Sequence, residues 1–491
     1  MPLLFNIIQS LLDLLLALYI PLIIYTLYRI LFDTNNSTKA LAYILLVITV
    51  PVVGVIIYFS FGINYRKHKI YDKQLRIDKK FVEQISSLYH EQINTFEDNY
   101  KNKLGDFYSL AKFLLGDSRE LLSHNNYKLL VNGENKFPEV FKEISVAKHH
   151  IHLEYYIWEN DFIGNELKNL LIKKHKEGIQ VRVMYDAFGS RSIKNSIVRE
   201  LREAGVNIFP VLKIKLVAFA NRINHRDHRK IIIIDGTIGF VGGINISDRY
   251  DNGRNNNNYW RDTHLKILGP AVANLQRHFV TKWNYCSPEF LVVNKLFFPN
   301  IDSPNPLNNS ELAQIMAGGP DYKRSYILLS FFKIFTQAKK KLYITTPYFI
   351  PNETIIIALK QAALGGVDVR LIIPEQSDSI VITAASKYYL RTLLSAGVKV
   401  YLYEKGFVHA KTIVADTFLS VIGTANMDIR SFDLNYEINA IIYGNKFGNK
   451  MEELFYDDLK QCRQVHYSDW EKLSKWNQLG YSAARLLSYF L

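Results

Sequence analysis

The chain has 491 residues, 48% of them hydrophobic, with 60 Lys and Arg against 46 Asp and Glu for a formal charge of +14. That length holds a membrane hairpin plus two domains of ordinary size, and the cationic excess suits an anionic surface or ligand, whether lipid or nucleic acid. Two cysteines, Cys286 and Cys462, exclude a disulfide framework and fit a reducing compartment.

The N-terminus opens with two apolar segments. Leu14 to Tyr28 is apolar apart from Thr26 and needs Leu11 and Leu12 to reach spanning length. Ala40 to Gly62 carries no charge and, at about 1.5 Å per residue, covers a hydrocarbon core of roughly 30 Å. The polar link Arg29 to Lys39 makes the pair a transmembrane hairpin over residues 1–63, with Pro21 and Pro51 kinking its helices. A cleaved signal peptide is disfavoured by the missing basic leader and cleavage site. Arg66, Lys67, Lys69, Lys73, Arg76, Lys79 and Lys80 follow, opening a basic juxtamembrane linker over 64–120 and placing the rest of the chain on the cytoplasmic side.

Beyond the linker the chain repeats itself at low identity. Lys148 to Tyr156 precedes an amphipathic stretch, then Gly178 to Met184; Lys340 to Tyr348 precedes another, then Gly366 to Ile372. Ala204-Gly205-Val206 and Ala396-Gly397-Val398 follow in step. Strand, helix, strand, helix, strand is the grammar of an α/β layer with a largely parallel sheet, so 121–300 and 301–491 read as tandem domains related by a pseudo-twofold.

Each half carries His-x-Lys-x-x-x-x-Asp: His228, Lys230 and Asp235, then His409, Lys411 and Asp416. Ile231 to Ile234 and Thr412 to Ala415 read as buried strands, so each histidine and lysine share a face, while the aspartates fall on the other face or in the next turn as supports rather than proton carriers. Small-residue corners begin seven residues later, Gly242-Gly243-Ile244-Asn245 and Gly423-Thr424-Ala425-Asn426. Gly243, Asn245, Thr424 and Asn426 are therefore candidate substrate-binding positions, where backbone and amide groups could approach an anion beside a lysine. The chemistry that fits is attack on a phosphodiester. Asp262 and Glu437, at comparable distances after the two histidines, are candidates to orient the imidazoles, although which faces which is open.

These residues resemble the phospholipase D superfamily with its two HKD motifs, and within it the bacterial cardiolipin synthases. The likeness is carried by Asn224 to Lys230, Gly242 to Ser247, Tyr259-Trp260-Arg261-Asp262, Gly318 to Asp321 and Ser431 to Glu437. It implies a transphosphatidylation that turns two phosphatidylglycerol molecules into cardiolipin and glycerol. One histidine forms a phosphatidyl-histidine and the other serves as acid and base, by analogy His228 and His409 respectively; the lysines hold phosphate oxygens, and neither metal nor cofactor is required. Expected partners are phosphatidylglycerol and anionic membrane lipids, not nucleic acid, at the cytoplasmic membrane. Rival readings are a nuclease, a phosphatidylserine synthase or a hydrolytic phospholipase D of the same superfamily, and a scaffold with a decayed site, which intact motifs argue against. Two further apolar stretches could touch lipid or simply pack: Lys213 to Ile223 and Ala484 to Leu491.

Overall fold

The computed structural model describes residues 2–34, 37–62, 86–211, 225–254, 258–292, 294–299 and 310–486, giving only the backbone of 2–16, 60–61 and 86–88. The basic run at 66–80, all of Lys213 to Ile223 and the last five residues lie outside these. The chain divides into two compact units, residues 1–72 with 213–225, and 73–212 with 226–491.

In the first unit, helices Pro2–Asp33, Ser37–Thr49 and Pro51–Ile57 pack through Ile30, Ala40, Val47, Val55 and Tyr58. Arg29 Nε donates to Asp33 Oδ2 at 2.9 Å, and Tyr58 OH to the same oxygen at 3.2 Å. Pro51 divides the second apolar segment, because Val50 leaves the helical region (φ −134°, ψ 70°), yet Val50 N still reaches Leu46 O and Gly54 N reaches Val50 O. Among the described residues no helix is long and apolar enough to cross a membrane.

The second unit holds both repeats. The first contributes β1 (Ser123–Val131), β2 (His150–Tyr155), β3 (Gln180–Asp186), β4 (Asn207–Val211), β5 (Lys230–Ile234), β6 (Ile238–Gly242), β7 (Tyr259–Arg261) and β8 (Thr263–Leu268). The second contributes β9 (Glu311–Gly318), β10 (Lys341–Thr345), β11 (Phe349–Ile350), β12 (Asp368–Pro374), β13 (Lys399–Tyr403), β14 (Gly406–Val408), β15 (Thr412–Ala415), β16 (Leu419–Gly423), β17 (Met427–Asp428), β18 (Glu437–Tyr443) and β19 (Cys462–Val465). Fifteen of them form one sheet in the order β19-β13-β12-β10-β15-β16-β18-β9-β1-β8-β6-β5-β2-β3-β4, while β11 pairs with β17 and β7 with β14. Apart from β19 it reads the same from both ends in terms of the repeat, and the halves join where β1 runs antiparallel to β9, Ser123 opposite Ala313.

The sheet is mixed rather than largely parallel. Only β2-β3-β4 and β10-β12-β13 are parallel; the motif strands β5 and β15 run antiparallel to both neighbours. The cause is local, since β5 and β6 are joined by the three residues Asp235 to Thr237, and so short a link can only reverse the chain.

Strand β5 is buried on both faces. Ile231 and Ile233 enter a central core with Leu275 and Phe279 of helix Ala271–Cys286, while Ile232 and Ile234 enter an outer core with Leu167 and Leu171 of helix Phe162–Lys176. That is the period of two expected of a strand between helical layers. Within 64–120, which the sequence presents as linker, residues 86–116 form helices Ser86–Leu104 and Tyr108–Gly116. Their Phe96, Leu110 and Leu114 pack with Phe331, Phe335 and Leu342 of the second half.

Asp235 and Asp416 sit in the turns after β5 and β15 at the same left-handed φ of 52°. Asp235 accepts backbone N–H bonds from Lys148, His149 and His150 at 2.8–3.0 Å, and Asp416 from Lys339, Lys340 and Lys341 at 2.7–2.9 Å. Each pins the start of the strand next to its motif strand. Asp235→Ala and Asp416→Ala strand three donors apiece and should each destabilise the fold by about 1.5–3 kcal/mol. The check is thermal unfolding in detergent alongside KM: a lowered midpoint with KM near wild type is expected.

Candidate active site

His228 precedes β5 by two residues and His409 precedes β15 by three, at corresponding ends of the two halves. Their backbones are held by the opposite half. His228 N donates to Tyr436 O (3.0 Å) and Tyr436 N to Arg226 O (2.9 Å); His409 N donates to Arg261 O (2.7 Å), where β7 and β14 pair in parallel.

The side chains cross in the same way. The Nδ1–H of His228 donates to Glu437 Oε2 at 3.0 Å, and that of His409 to Asp262 Oδ2 at 2.6 Å. Each imidazole thus belongs to one repeat and its carboxylate to the other, and the acceptor-only carboxylates leave Nε2 as the reactive nitrogen. Both histidines are nearly enclosed, 8% and 7% exposed, and both carboxylates are fully buried.

The two pairs are built differently. Glu437 Oε2 also accepts from the Thr424 hydroxyl, and Oε1 from Ser431 Oγ (3.1 Å) and Asn435 Nδ2 (3.3 Å). Asp262 Oδ1 accepts from Thr263 N at 2.7 Å. Gly243 stands where the second repeat has Thr424: their amides donate to Thr263 O (2.9 Å) and Ile438 O (3.0 Å). A Cβ on Gly243 would lie 2.1 Å from Asp262 Oδ1, so only glycine lets the carboxylate pass. These corner amides are therefore spent inside the protein and not offered to an anion. Asn245 likewise accepts from Ile157 N (3.2 Å) and donates to Tyr250 OH (2.7 Å), bracing a ring 5.8 Å from His409. Asn426 is buried, its N–H donating to Ser431 Oγ at 3.1 Å.

Lys230 and Lys411 each donate from Nζ to the carbonyl of their own motif histidine. Burial lowers Lys230 to about 7 and Lys411 to about 8. Each lysine also feels both carboxylates, and each histidine feels both lysines, so the six groups form one electrostatic unit. Burial, then Lys411, pushes His409 down to about 4, and burial lowers His228 as well. For Asp262 and Glu437 burial acts to raise, but the histidines and lysines outweigh it and hold both carboxyls below their usual range.

Aromatic walls complete the cleft: Tyr156 edge-on to His228 at 4.8 Å, and Trp260 and Phe407 at 5.6 and 5.8 Å from His409. Lys136 is a residue the motifs do not announce. It is buried on helix Asn132–Ser145, donates to Ile244 O at 2.8 Å, and so holds the Gly-Gly-Ile-Asn corner from behind. Its signal was its place on the apolar face with Val140 and Ile144, one and two turns ahead. Among the described residues no cluster of His, Cys, Asp or Glu could hold a metal ion.

The family described as “Cardiolipin synthase, PLD-like domain” matches residues 140–283 and 331–459, and “Phospholipase_D-nuclease N-terminal” matches 22–62. The cardiolipin synthase of Halalkalibacterium halodurans is 39% identical over 465 residues, 94% of this chain and 91% of that one. That of Clostridium perfringens is 39% identical over 459 residues, 93% and 95%. In fold alone, the crystal structure of phosphatidylserine synthase from Haemophilus influenzae is similar, with a TM-score of 0.58 over 74% of this chain and 95% of that one at 17% identity. With both halves matched and such identity over nearly its whole length, the chain belongs to the cardiolipin synthase family of phospholipase D-like proteins.

Proposed function

We propose that this chain is a membrane-bound phosphatidyltransferase that converts two phosphatidylglycerol molecules into cardiolipin and glycerol. The observation that carries the reading is the crosswise pairing of His228 with Glu437 and His409 with Asp262, two oriented imidazoles beside two buried lysines. Membership of the family supports the same chemistry.

Neutral His228 Nε2 attacks phosphorus, the bond to the headgroup oxygen breaks, and the departing glycerol takes a proton from His409 Nε2. The phosphorus is then bonded to His228. A second phosphatidylglycerol gives its hydroxyl proton to His409, its oxygen attacks phosphorus, and the P–N bond breaks to return His228. Lys230 and Lys411 bind the non-bridging oxygens. An anion between them offsets the lysine field that, after burial, depresses His409, and Asp262 then stabilises its imidazolium. Gly243, Asn245, Thr424 and Asn426 are positioning residues, as are Asp235 and Asp416.

The N-terminal helices form the anchor. Leu18, Ile24, Leu31, Leu41, Leu45 and Ile48 are all exposed, a surface that water does not tolerate and lipid does. The uncharged run 40–62 and the basic residues at 66–80 support a hairpin in the cytoplasmic membrane, with the domains 121–300 and 301–491 on the cytoplasmic side.

Purified protein given phosphatidylglycerol alone should yield cardiolipin and glycerol in equal amounts; phosphatidic acid with no cardiolipin would replace the reading with hydrolysis. His228→Ala and His409→Ala should each abolish turnover, and Asp262→Asn and Glu437→Gln should each lower kcat by roughly 10²–10⁴ while the protein still inserts in membranes. Dependence on pH follows from the lysines. Above about 7 for Lys230 and about 8 for Lys411 the empty site holds neutral amines that must take up a proton to meet a phosphate, so affinity is lost as pH rises. KM for phosphatidylglycerol should climb more steeply above pH 8 than below pH 7, as loss of the lysine protons adds to any uptake at His409; a slope that does not steepen up to pH 9.5 would remove the lysines from phosphate binding.

A further inference from the structure

Helix Lys475–Leu486 packs along helix Ile380–Leu394 with its amphipathicity reversed. The side turned to the protein is largely polar: Gln478 and Ser482 line a recess with Arg391 and Ser395, the Arg485 guanidinium lies 4.6 Å from the Tyr388 ring centroid, and Tyr481 alone adds an aromatic contact, 5.6 Å from Trp470. The side turned outward is apolar, with Trp476 81%, Leu479 58% and Leu486 72% exposed. Residues 476, 479, 483 and 486 fall on one stripe of a 3.6-residue helix. A helix that spends its polar residues on the fold and offers Trp and Leu to the outside is matched to a surface that is not water.

The neighbouring helix continues the pattern. Ile380 and Val381, at its start, are 89% and 39% exposed. The recess sets residues 478 and 482 beside 391 and 395, and Arg485 beside Tyr388, so the terminal helix runs toward that start. That end borders the catalytic cleft: Asp378 accepts from Tyr348 OH at 2.7 Å, and Tyr348 packs 6.3 Å from Phe407, itself 5.8 Å from His409.

Charge selects the occupant. The two helices carry Lys387, Arg391, Lys475 and Arg485 and no carboxylate. Tryptophan and leucine flanked by cations are the composition of a helix lying in an anionic headgroup layer, the aromatic ring at the boundary. We propose that the outer face of helices 380–394 and 475–486 is a membrane-docking surface that seats the second catalytic half on an anionic bilayer, with the cleft mouth at headgroup level. This deepens the lipid-substrate reading and rests on it.

The test uses the full chain in phosphatidylglycerol-containing vesicles, with Cys286 and Cys462 replaced by serine and an environment-sensitive fluorophore on Trp476→Cys. Docking predicts quenching by a nitroxide on the shallow part of the lipid acyl chain and shielding from aqueous iodide. Quenching by iodide without quenching by the nitroxide lipid would overturn the proposal, as would shielding from both, which would mean that protein covers the face. Neither readout needs turnover, so a failure to make cardiolipin would overturn the reaction and leave the surface standing. In activity, Trp476→Glu with Leu479→Glu should lower the rate on vesicle phosphatidylglycerol about tenfold and leave the rate on dissolved short-chain phosphatidylglycerol unchanged. An equal loss on both substrates would place the effect in the cleft and overturn docking.

Discussion

The structure turns on two buried carboxylates whose histidine donors come from the opposite repeat. Asp262 and Glu437 have no exposed surface, and an ionised carboxylate at such a depth is tolerated only with strong donors around it. The charge-assisted donor that each needs is a histidine from the other half. Burial, docking and site assembly are consequently one event. A half that slipped by one residue at the β7–β14 pair would carry its histidine away from its carboxylate and leave a charge uncompensated. The backbone bonds from His228 to Tyr436 and from His409 to Arg261 set that register, and the buried ion pair of Arg261 with Asp458 at 2.6 Å fastens it from the second half's helix.

The pseudo-twofold is broken where chemistry requires it. The shorter Asp262 lies against a glycine and shares its charge mainly with His409 and one amide. The longer Glu437 lies against a threonine and divides its charge among His228, two hydroxyls and an amide. Each added donor withdraws charge from the histidine bond, so Glu437 is the weaker base toward its partner. The bond lengths, 2.6 Å for His409 and 3.0 Å for His228, run the same way, although burial and Lys411 outweigh Asp262 and still hold His409 down to about 4 until an anion offsets the lysines. A carboxylate that orients without attracting a proton suits a histidine that must stay neutral to attack. One that holds its imidazole tightly suits a histidine that must carry a proton when substrate arrives.

Much of this was legible in the residues. Period-two burial in Lys230–Ile234 and Thr412–Ala415 follows from β-branched runs between helical layers, and the repeat announced itself through paired motifs at matching spacing. The placement of Asp235 and Asp416 away from the histidines follows from an odd offset along a strand. Other features required three dimensions. Which carboxylate meets which histidine is a property of how the halves dock, and near-symmetric spacing carries no trace of it. The antiparallel course of the motif strands was hidden because the repeat grammar stresses β2-β3-β4, where the helical crossovers lie. The packing of helix Ser86–Leu104 on the second half was masked by its polar content, since Phe96 and Leu104 are the residues that mark its buried side. The corners after each motif were read as anion cradles because glycine permits close approach. What approaches Gly243 is the Asp262 carboxylate.

The electrostatics of the cleft explain why so enclosed a site stays receptive. Two carboxylates face two lysines, so with both histidines neutral and both lysines protonated the six groups sum to no net charge, the arrangement of least cost away from water. A phosphodiester adds one negative charge, and the unit can restore its balance only by holding a proton more. Lys230 and Lys411, lowered by burial, stay protonated against the anion, and the further proton has a natural seat on His409, beside the carboxylate that grips most tightly. In the proposed reaction, substrate binding thereby creates the acid that the first step consumes, and departure of the neutral glycerol returns the site to a state in which His409 can accept a proton from an incoming hydroxyl. The same field disfavours a cleft that is protonated before substrate enters, so the protonated histidine and the bound phosphate arise together.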